Sequence, residues 1–576
     1  MSETAGKLTP ANQNPWYVLM TLYGEQEGEA VVLQLDEDNR AAWNAWSCQA
    51  MGQEALERAA ASSSVTVAEL SAWTEMQAEV ERRHKAQWLG RNGKNLAYPG
   101  VPDVADAVVL DGVEFADHLR MAQAVFSGRA QFNRATFSGV ADFGQATFYR
   151  GAAFGHATFS GAAAFGSATF RKGGHFNSAK FNGRAQFGSA VFSGETNFGE
   201  ATFSSWVYFE RAAFSKRAGF YGATFSVEAR FRCATFSGEA NFSDATFITW
   251  AYFERATFSG AALFGDATFS GAAHFDHATF GGEAGFVGAT FRDLAYFNEA
   301  KFGTAGEDQE VNFIDCQFGQ PTNFRKAVFR ARYPDFAGTV LHDKTTFTDD
   351  ADNWPKGEQK KDRDQAKAEA KAEAKAKAKA KAKAKAKAKA KAKAKAKAKA
   401  KAKAKAKAKA KAKAKAKAKA KAKTEAKDNC AVIRNNVGKQ GQHDAEHFFF
   451  RREMGFAGQI GKWWERLPYQ AFGWFSDYGY AILTPLLCLG LLIAAGADVL
   501  AWGLTGTAKA IVFEEASWLS FANVFNFLGF HKTFFDPDCT QKLPQWLKVF
   551  SALQTILGVI FLFLLGLGLR TRFRLR

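Results

Sequence analysis

The chain has 576 residues, enough for three or four folded units at roughly 150 residues each, and its 57 phenylalanines are far more than ordinary usage gives. Its formal charge of +18 points toward nucleic acid, yet 25 lysines alternate with alanine between Lys375 and Lys423, and without them the balance is −7. That location excludes a basic folded surface of the kind that grips a phosphate backbone, and six scattered cysteines (Cys48, Cys233, Cys316, Cys430, Cys488, Cys539) exclude a disulfide framework or a clustered metal site.

At the N-terminus, residues 1–15 are polar and the apolar run Trp16–Leu22 is too short for a secretory signal. The runs Trp16–Leu22 and Ala30–Leu35 read as two strands, and helices are predicted over Glu37–Ala61 and Val67–Trp88. The second helix opens on a capping box, Thr66 with Glu69, and carries Leu70, Trp73, Met76 and Val80 at helical spacing. Residues 1–100 are therefore expected to form a small α+β module. A cap on a first coil near Val104–Phe115 fits equally well, since a bare solenoid end exposes strand edges.

From Ala124 to Phe329 a repeat dominates. One phenylalanine series runs 126, 137, 148, 159, 170, 181, 192 and on to 302, and a second runs 132, 143, 154, 165, 176, 187, 198 and on to 297. Together they place Phe at alternating steps of five and six, with a small residue two positions before most of them, as in Ala135-Thr136-Phe137 and Ala240-Asn241-Phe242. An eleven-residue period also suits a right-handed coiled coil. Here, however, Ser-Gly pairs and β-branched Thr recur, and each Gly costs a helix about 1 kcal/mol. A spacing of two puts Ala and Phe on one side of an extended segment, so short strands turning at Ser-Gly or Gly-x corners are predicted.

The unit A-T-F-S-G-x-A-x-F-x-x resembles the pentapeptide-repeat family, in its Phe-rich branch with a sixth residue in alternate units and of the membrane-anchored type. The resemblance implies a β-solenoid, the right-handed quadrilateral pentapeptide-type β-helix, over residues 101–350. It places Phe132, Phe137, Phe143 and Phe148 inside on successive sides, with Ala130, Ala135, Ala141 and Ala146 between them. Coils of 22 residues give about nine turns and roughly 45 Å of rod. The insertion Gly303–Val311 interrupts the register once before Phe313, Phe318, Phe324 and Phe329 resume it. Outward positions vary: Arg129–Arg184 holds seven bases and one acid, Glu239–Asp315 three bases and twelve acids. The rod is thus polarised in charge along its length and nearly neutral in sum, and a protein partner is expected on its surface.

Beyond Trp354 the chain turns polar, with Gln-Lys-Lys-Asp at 359–362, and residues 351–430 form a Lys/Ala-rich low-complexity linker. Lys and Ala both disfavour sheets, while alternation scatters Lys around every helix face. An extended or partly helical spacer is expected, with anionic lipid as the nearest partner of Lys375–Lys423 at about 1 kcal/mol per Lys; contact with DNA there would carry no sequence information.

Residues 431–477 form a juxtamembrane helical segment, and 478–576 a two-span α-helical membrane hairpin. The spans 480–499 and 549–569 meet the ~20 apolar residues needed to cross hydrocarbon. Arg451, Arg452, Lys462 and Arg466 precede the first span and Arg570, Arg572, Arg574 and Arg576 follow the second, which places both termini in the cytoplasm. The expected location is a bacterial inner (plasma) membrane, crossed more than once. Between the spans, Trp518–Phe530 is apolar but too short to cross. Span, short segment, span is similar to the two-helix pore modules of cation channels, although Phe527-Leu528-Gly529-Phe530 is no carbonyl-lined potassium filter. The sequences Phe450-Arg451-Arg452-Glu453 and Ser476-Asp477-Tyr478-Gly479 resemble the membrane-proximal segment of pentapeptide-repeat membrane proteins.

His443-Asp444-Ala445-Glu446-His447 matches the H-x-x-E-H pattern of zinc peptidases, with His443 and His447 as ligands and Glu446 as base. That family takes a third ligand well downstream; Glu453 and Glu465 are too near, and Glu514 and Glu515 fall across the membrane. The motif is assigned to a helix surface. His156 and His274 occupy repeat positions and are assigned to surface variation. No P-loop, nucleophile elbow or dinucleotide fingerprint occurs, so no catalytic, cofactor-binding or metal residue is assigned and no cofactor is expected. The chain is expected to be a membrane-anchored scaffold rather than an enzyme. Alternatives are a two-span pore or channel regulator, and a DNA mimic that inhibits topoisomerase, which the near-neutral rod and membrane tail disfavour.

Overall fold

The phenylalanine register closes on itself every 22 residues, so that Phe137 pairs with Phe159 and Phe159 with Phe181 on adjacent turns. In this computed structural model, which describes residues 8–26, 31–94, 96–303, 309–348, 350–355, 420–504, 513–526 and 543–573, each turn gives one short strand to each of four parallel sheets. Two sheets have eleven strands and two have ten. The solenoid runs from Val108 to Phe347 in about 11 turns. The expected count of nine is low because the first turn fills its interior with Leu110, Val113, Leu119 and Met121, and the last with Tyr333 and Phe336, outside the Ala-x-Phe signature.

The interior is aromatic. Each Phe column stacks face to face, 4.7 Å between Phe137 and Phe159 and 5.2 Å between Phe143 and Phe165, while neighbouring columns meet edge-on, as Phe187 and Phe198 do at 5.2 Å. Ala135, Ala141 and Ala146 lie fully buried between the rings.

The five- and six-residue steps turn differently. In the five-residue step Phe132–Phe137, Arg134 adopts a left-handed φ of 57°, and Gln145, His156 and Ser167 repeat this every eleven residues. In the six-residue steps the Ser-Gly corners serve close approach instead. A Cβ on Gly161 would lie 2.3 Å from the Gly139 carbonyl oxygen, and one on Gly183 equally close to that of Gly161. The left-handed corners thus fall mostly on residues other than glycine, while many glycines are there because the coil below leaves no room.

The N-terminal module is helical rather than α+β. The predicted strand at Trp16–Leu22 is helix α1 (Pro15–Met20), because Asn14 caps it, accepting a hydrogen bond from the Trp16 amide at 2.9 Å, and Pro15 fits the first turn. The described part of Ala30–Leu35 runs into α2 (Leu33–Cys48). The predicted Glu37–Ala61 helix breaks at Met51-Gly52 to start α3 (Gln53–Ser63), and Val67–Trp88 divides into α4 (Val67–Ser71) and α5 (Trp73–Asn92). Thr66 does cap the Glu69 amide at 3.1 Å, but the Glu69 carboxylate turns to Arg40 at 3.2 Å and Asn44 at 2.8 Å.

This module caps the solenoid. Thr9–Pro10 adds a parallel strand to Val113–Glu114. Helix α2 satisfies the otherwise bare edge of Val125–Ser127: Trp43 Nε1 donates to the Val125 carbonyl at 3.0 Å, and the Val125 and Ser127 amides donate to Asn44 Oδ1 at 2.7 Å and Ser47 Oγ at 3.1 Å. Trp43 also covers Phe126, its centroid 5.1 Å away. At the other end Trp354 stacks on Phe329 at 4.9 Å, and Asn436 and Gln440 donate to the His342 and Thr345 carbonyls at 3.2 and 2.7 Å. Both ends thus have the partners a strand edge requires.

The chain divides into two compact units, Met1–Lys389 with Asn435–Ala445, and Ala390–Arg434 with Glu446–Arg576. The second holds all but the first three residues of α6 (His443–Ala457), with α7 (Trp463–Ser476), α8 (Leu483–Leu504), α9 (Phe513–Val524) and α10 (Gln545–Phe573). Most of the Lys-Ala tract, up to residue 419, lies outside the described residues; 420–423 are helical.

Candidate functional site

With Phe and Ala turned inward, recognition is left to the outward residues, and the four faces differ. Two faces carry mostly threonine, for example Thr136, Thr158, Thr202 and Thr224 on one. A third is mixed and small, from Gln131 through His175, Asn197 and Gly219 to Leu263. Where Gly219 lacks a side chain it holds an open polar recess of ≈ 480 Å³, lined in part by His175, Glu195, Asn197, Arg217 and Tyr221.

The fourth face is unlike the others. Its outward column runs Tyr208, Arg230, Tyr252, His274, Tyr296 on successive turns. The Arg230 guanidinium sits between two rings, 5.3 Å from the Tyr208 centroid and 6.0 Å from that of Tyr252. His274 stacks 5.0 Å from Tyr252 and 4.8 Å from Tyr296, so it is a rung of this column, while His156 is a left-handed corner. Along one border Trp206 and Trp250 are 43% and 48% exposed, with Glu228 between them. The other border carries Glu210, Arg232, Glu254 and Asp276. Glu228 neutralises Arg230 at 2.6 Å, and Arg232 Nε lies 3.7 Å from Glu254. Burial pushes the Asp276 carboxyl up, but hydrogen bonding from His274 and from Asn298, at 2.6 Å, outweighs it and holds the group below the usual carboxylate range.

His443 and His447 both fall on α6, and the His447 ring lies 5.8 Å from that of Tyr480. Among the described residues no group of three or more His, Cys, Asp or Glu side chains is placed to hold a metal ion. Cys48, Cys233, Cys316, Cys430 and Cys488 are unpaired.

The two membrane-proximal motifs meet: Arg451 donates to Asp477 at 2.7 Å and lies 5.0 Å from the Tyr480 centroid. Asp477, Tyr478 and Gly479 are three consecutive left-handed residues that turn the chain sharply out of α7.

Leu483–Gly503 in α8 and Gln545–Thr571 in α10 are long and apolar enough to cross a membrane, close to the expected 480–499 and 549–569. Helix α9 packs along both. Ala516 and Leu519 meet Leu500 and Leu547, while Val524 meets Leu489, Phe561 and Leu564. It therefore runs antiparallel to α8 and reaches well down its length. Three polar side chains meet where the helices join: Asn523 Nδ2 donates to Gln554 Oε1 at 2.9 Å, Gln554 Nε2 donates to Ser520 Oγ and to the Leu492 carbonyl, and Ser520 Oγ donates to the Ile493 carbonyl at 2.7 Å. Gly496 makes the room, since a Cβ there would lie 2.1 Å from Gln554 Nε2. The signal in sequence was Ser520 and Asn523 three apart in an apolar segment, with one Gln inside the second span. Phe527–Phe530 lies outside the described residues.

Four parallel sheets closed by Phe-stacked turns define a four-sided β-solenoid scaffold. Residues 106–169, 176–224, 220–268 and 264–306 match the family described as pentapeptide repeats (9 copies), and the solenoid is a pentapeptide-repeat domain. No curated protein and no solved structure matches the chain.

Proposed function

We propose that this protein is a membrane-anchored, non-catalytic scaffold that holds its pentapeptide-repeat solenoid on the cytoplasmic side of a bacterial plasma membrane and presents it to a protein partner. One observation carries the reading: a core spent mainly on Phe and Ala leaves outer faces as the solenoid's means of recognition, on a chain that also carries two helices of membrane-crossing length and apolarity. Arginines ahead of the first helix and at the C-terminal end of the second favour cytoplasmic termini, and the aromatic residues Trp463, Trp464 and Trp502 suit interface placement. The bilayer contacts 480–499 and 549–569, and anionic headgroups attract Lys375–Lys423.

The test uses exposed Cys233. A membrane-impermeant maleimide should label it in inside-out vesicles and spare it in right-side-out ones, and purified membranes should yield partners that exchange when outward residues are substituted. Labelling in right-side-out vesicles overturns the topology; partner recovery indifferent to every outward substitution overturns the scaffold.

A second reading, a two-span pore or its regulator, is favoured by α9, which lies against both apolar helices with its C-terminal end far from their connecting ends. Polar contacts at Gln554 would satisfy that arrangement in hydrocarbon. Reconstituted protein that gives no unitary conductance, with hairpins monomeric on crosslinking, would remove it.

A further inference from the structure

We propose that the Tyr–Trp face of the solenoid binds a proline-rich, arginine-bearing polyproline II segment of a partner protein, laid along the solenoid axis. The inference rests on the scaffold reading and names its partner chemistry.

The first argument is period. Tyr208, Tyr252 and Tyr296 recur every second turn, as do Trp206 and Trp250. With the His274 ring 5.0 and 4.8 Å from its two tyrosines, rings two turns apart are separated by about 9.6 Å, twice the ~4.8 Å strand spacing. A polyproline II helix rises 3.1 Å per residue with three residues per turn, about 9.3 Å per turn. Each turn of such a ligand therefore meets the same aromatic pair again, and the mismatch over two turns stays below 1 Å by the same spacings.

The second argument is hydrogen bonding. Polyproline II makes no internal hydrogen bonds, so its carbonyls need outside donors. Tyrosine hydroxyls supply these without unstacking the rings, and the half-exposed Trp rings offer apolar walls for proline, as in other aromatic-lined grooves for such segments.

The third argument is charge. In the three columns of this face between Trp206 and Asn298, four acids (Glu210, Glu228, Glu254, Asp276) face two arginines. Arg230 already shows how a guanidinium is taken here, between two tyrosine rings with a carboxylate at 2.6 Å. Asp276, held ionised beside His274 and Asn298, offers the partner's arginine an equivalent counter-charge. The same acids disfavour nucleic acid and anionic lipid. The threonine faces have neither the aromatic period nor the charge.

The experiment measures fluorescence anisotropy of a labelled twelve-residue peptide, three proline turns with one arginine, against the full chain in detergent micelles. Saturable micromolar binding is expected. It should weaken at least tenfold when the prolines become alanine, at least tenfold in the Trp206→Ala/Trp250→Ala variant, and several-fold in Tyr252→Phe, which keeps the stack and loses one hydroxyl. The two tryptophans are exposed at corners, so the variant should keep wild-type amide protection in 202–258. Absence of saturable binding, undiminished binding by the tryptophan variant, or equal binding of a Lys-Ala peptide of the same charge each overturns the proposal. If membrane-derived partners persist on the tryptophan variant while the peptide fails to bind, the scaffold stands and this assignment of its partner falls.

Discussion

Phe231 tests the central claim that stacked rings hold the solenoid. Its side chain is wholly buried, stacked 4.9 Å from Phe209 and 4.8 Å from Phe253, and edge-on to Phe220 at 5.4 Å and Phe242 at 5.3 Å. Truncation to alanine removes these four contacts and the wider ones to Phe225 and Phe236 at 6.0 and 6.4 Å. The void cannot close, because the backbone above and below is fixed by hydrogen bonds such as Phe231 N to Tyr252 O at 2.7 Å and Phe209 N to Arg230 O at 2.7 Å. Buried Phe→Ala changes cost about 3–5 kcal/mol, and the upper half is expected because aromatic pairs add about 0.5–1.5 kcal/mol each. At one decade per 1.4 kcal/mol, 4 kcal/mol is roughly a thousandfold in a local opening equilibrium. In a repeat array the loss should concentrate on adjoining turns. Hydrogen exchange of the full protein in detergent should show about thousandfold faster exchange across 207–255 and less than tenfold across 130–160, with Phe231→Leu costing under about 1.5 kcal/mol. Losses below about 1 kcal/mol, alike for Ala and Leu, would refute the reasoning.

Gly161→Ala should destabilise its turn by about 1–3 kcal/mol through overpacking, since the new Cβ meets the Gly139 carbonyl; Gly166→Ala, whose Cβ has 3.8 Å to its nearest neighbour, should be close to neutral, both read by urea unfolding. Burial depresses the His84 pKa, with Arg91 adding to the effect and the hydrogen bond to the Pro15 carbonyl opposing it. The unfolded chain then takes up its proton first as pH falls below 6.5, so the N-terminal module should lose stability from there downward, and His84→Gln should flatten the slope of thermal melts against pH. Burial pushes the Cys48 and Cys316 thiols up to about 12, so a thiol-reactive dye at pH 8 should modify exposed Cys233 within minutes and spare both until denaturant is added, as site-resolved mass spectrometry would reveal.

The solenoid was legible because one residue type marks one register over thirty times, and the register alone dictates a 22-residue turn. Its ends were less so. The first turn uses Leu110 and Met121 where later turns use Phe, and Val113 and Leu119 where they use Ala, and capping rests on contacts across more than eighty residues, such as Trp43 with Val125, which no local pattern announces. At Trp16–Leu22 the deciding signal is local: the apolar run of seven suits a strand, but Asn14-Pro15, a cap and first-turn pair, decides for helix. In the hairpin, spans were visible as apolar length, but Gln554, Ser520 and Asn523 lie on separate segments and become one cluster only when α9 folds back. The stacked face was hidden for another reason: Tyr208, Arg230, Tyr252, His274 and Tyr296 are 22 residues apart, and at eleven-residue resolution they dissolve into ordinary surface variation.

That difference in legibility follows from the fold. A solenoid core tolerates one solution repeated, because each ring must stack on identical neighbours above and below, so inward positions carry little information beyond the count of turns. Outward positions are released from that demand, and on the threonine faces they remain near a β-branched default that suits any exposed strand. Departure from the default needs a reason that stacking alone does not provide. On the fourth face five successive turns abandon it for tyrosine, arginine and histidine, bordered by half-exposed tryptophan and by carboxylates. Exposed tryptophan costs solubility and contributes nothing to a core already closed by Phe. A spacer would need neither the aromatic column nor its two-turn alternation. The face is accordingly where a partner's specificity would be written, and the two-turn period sets the repeat of the ligand that reads it.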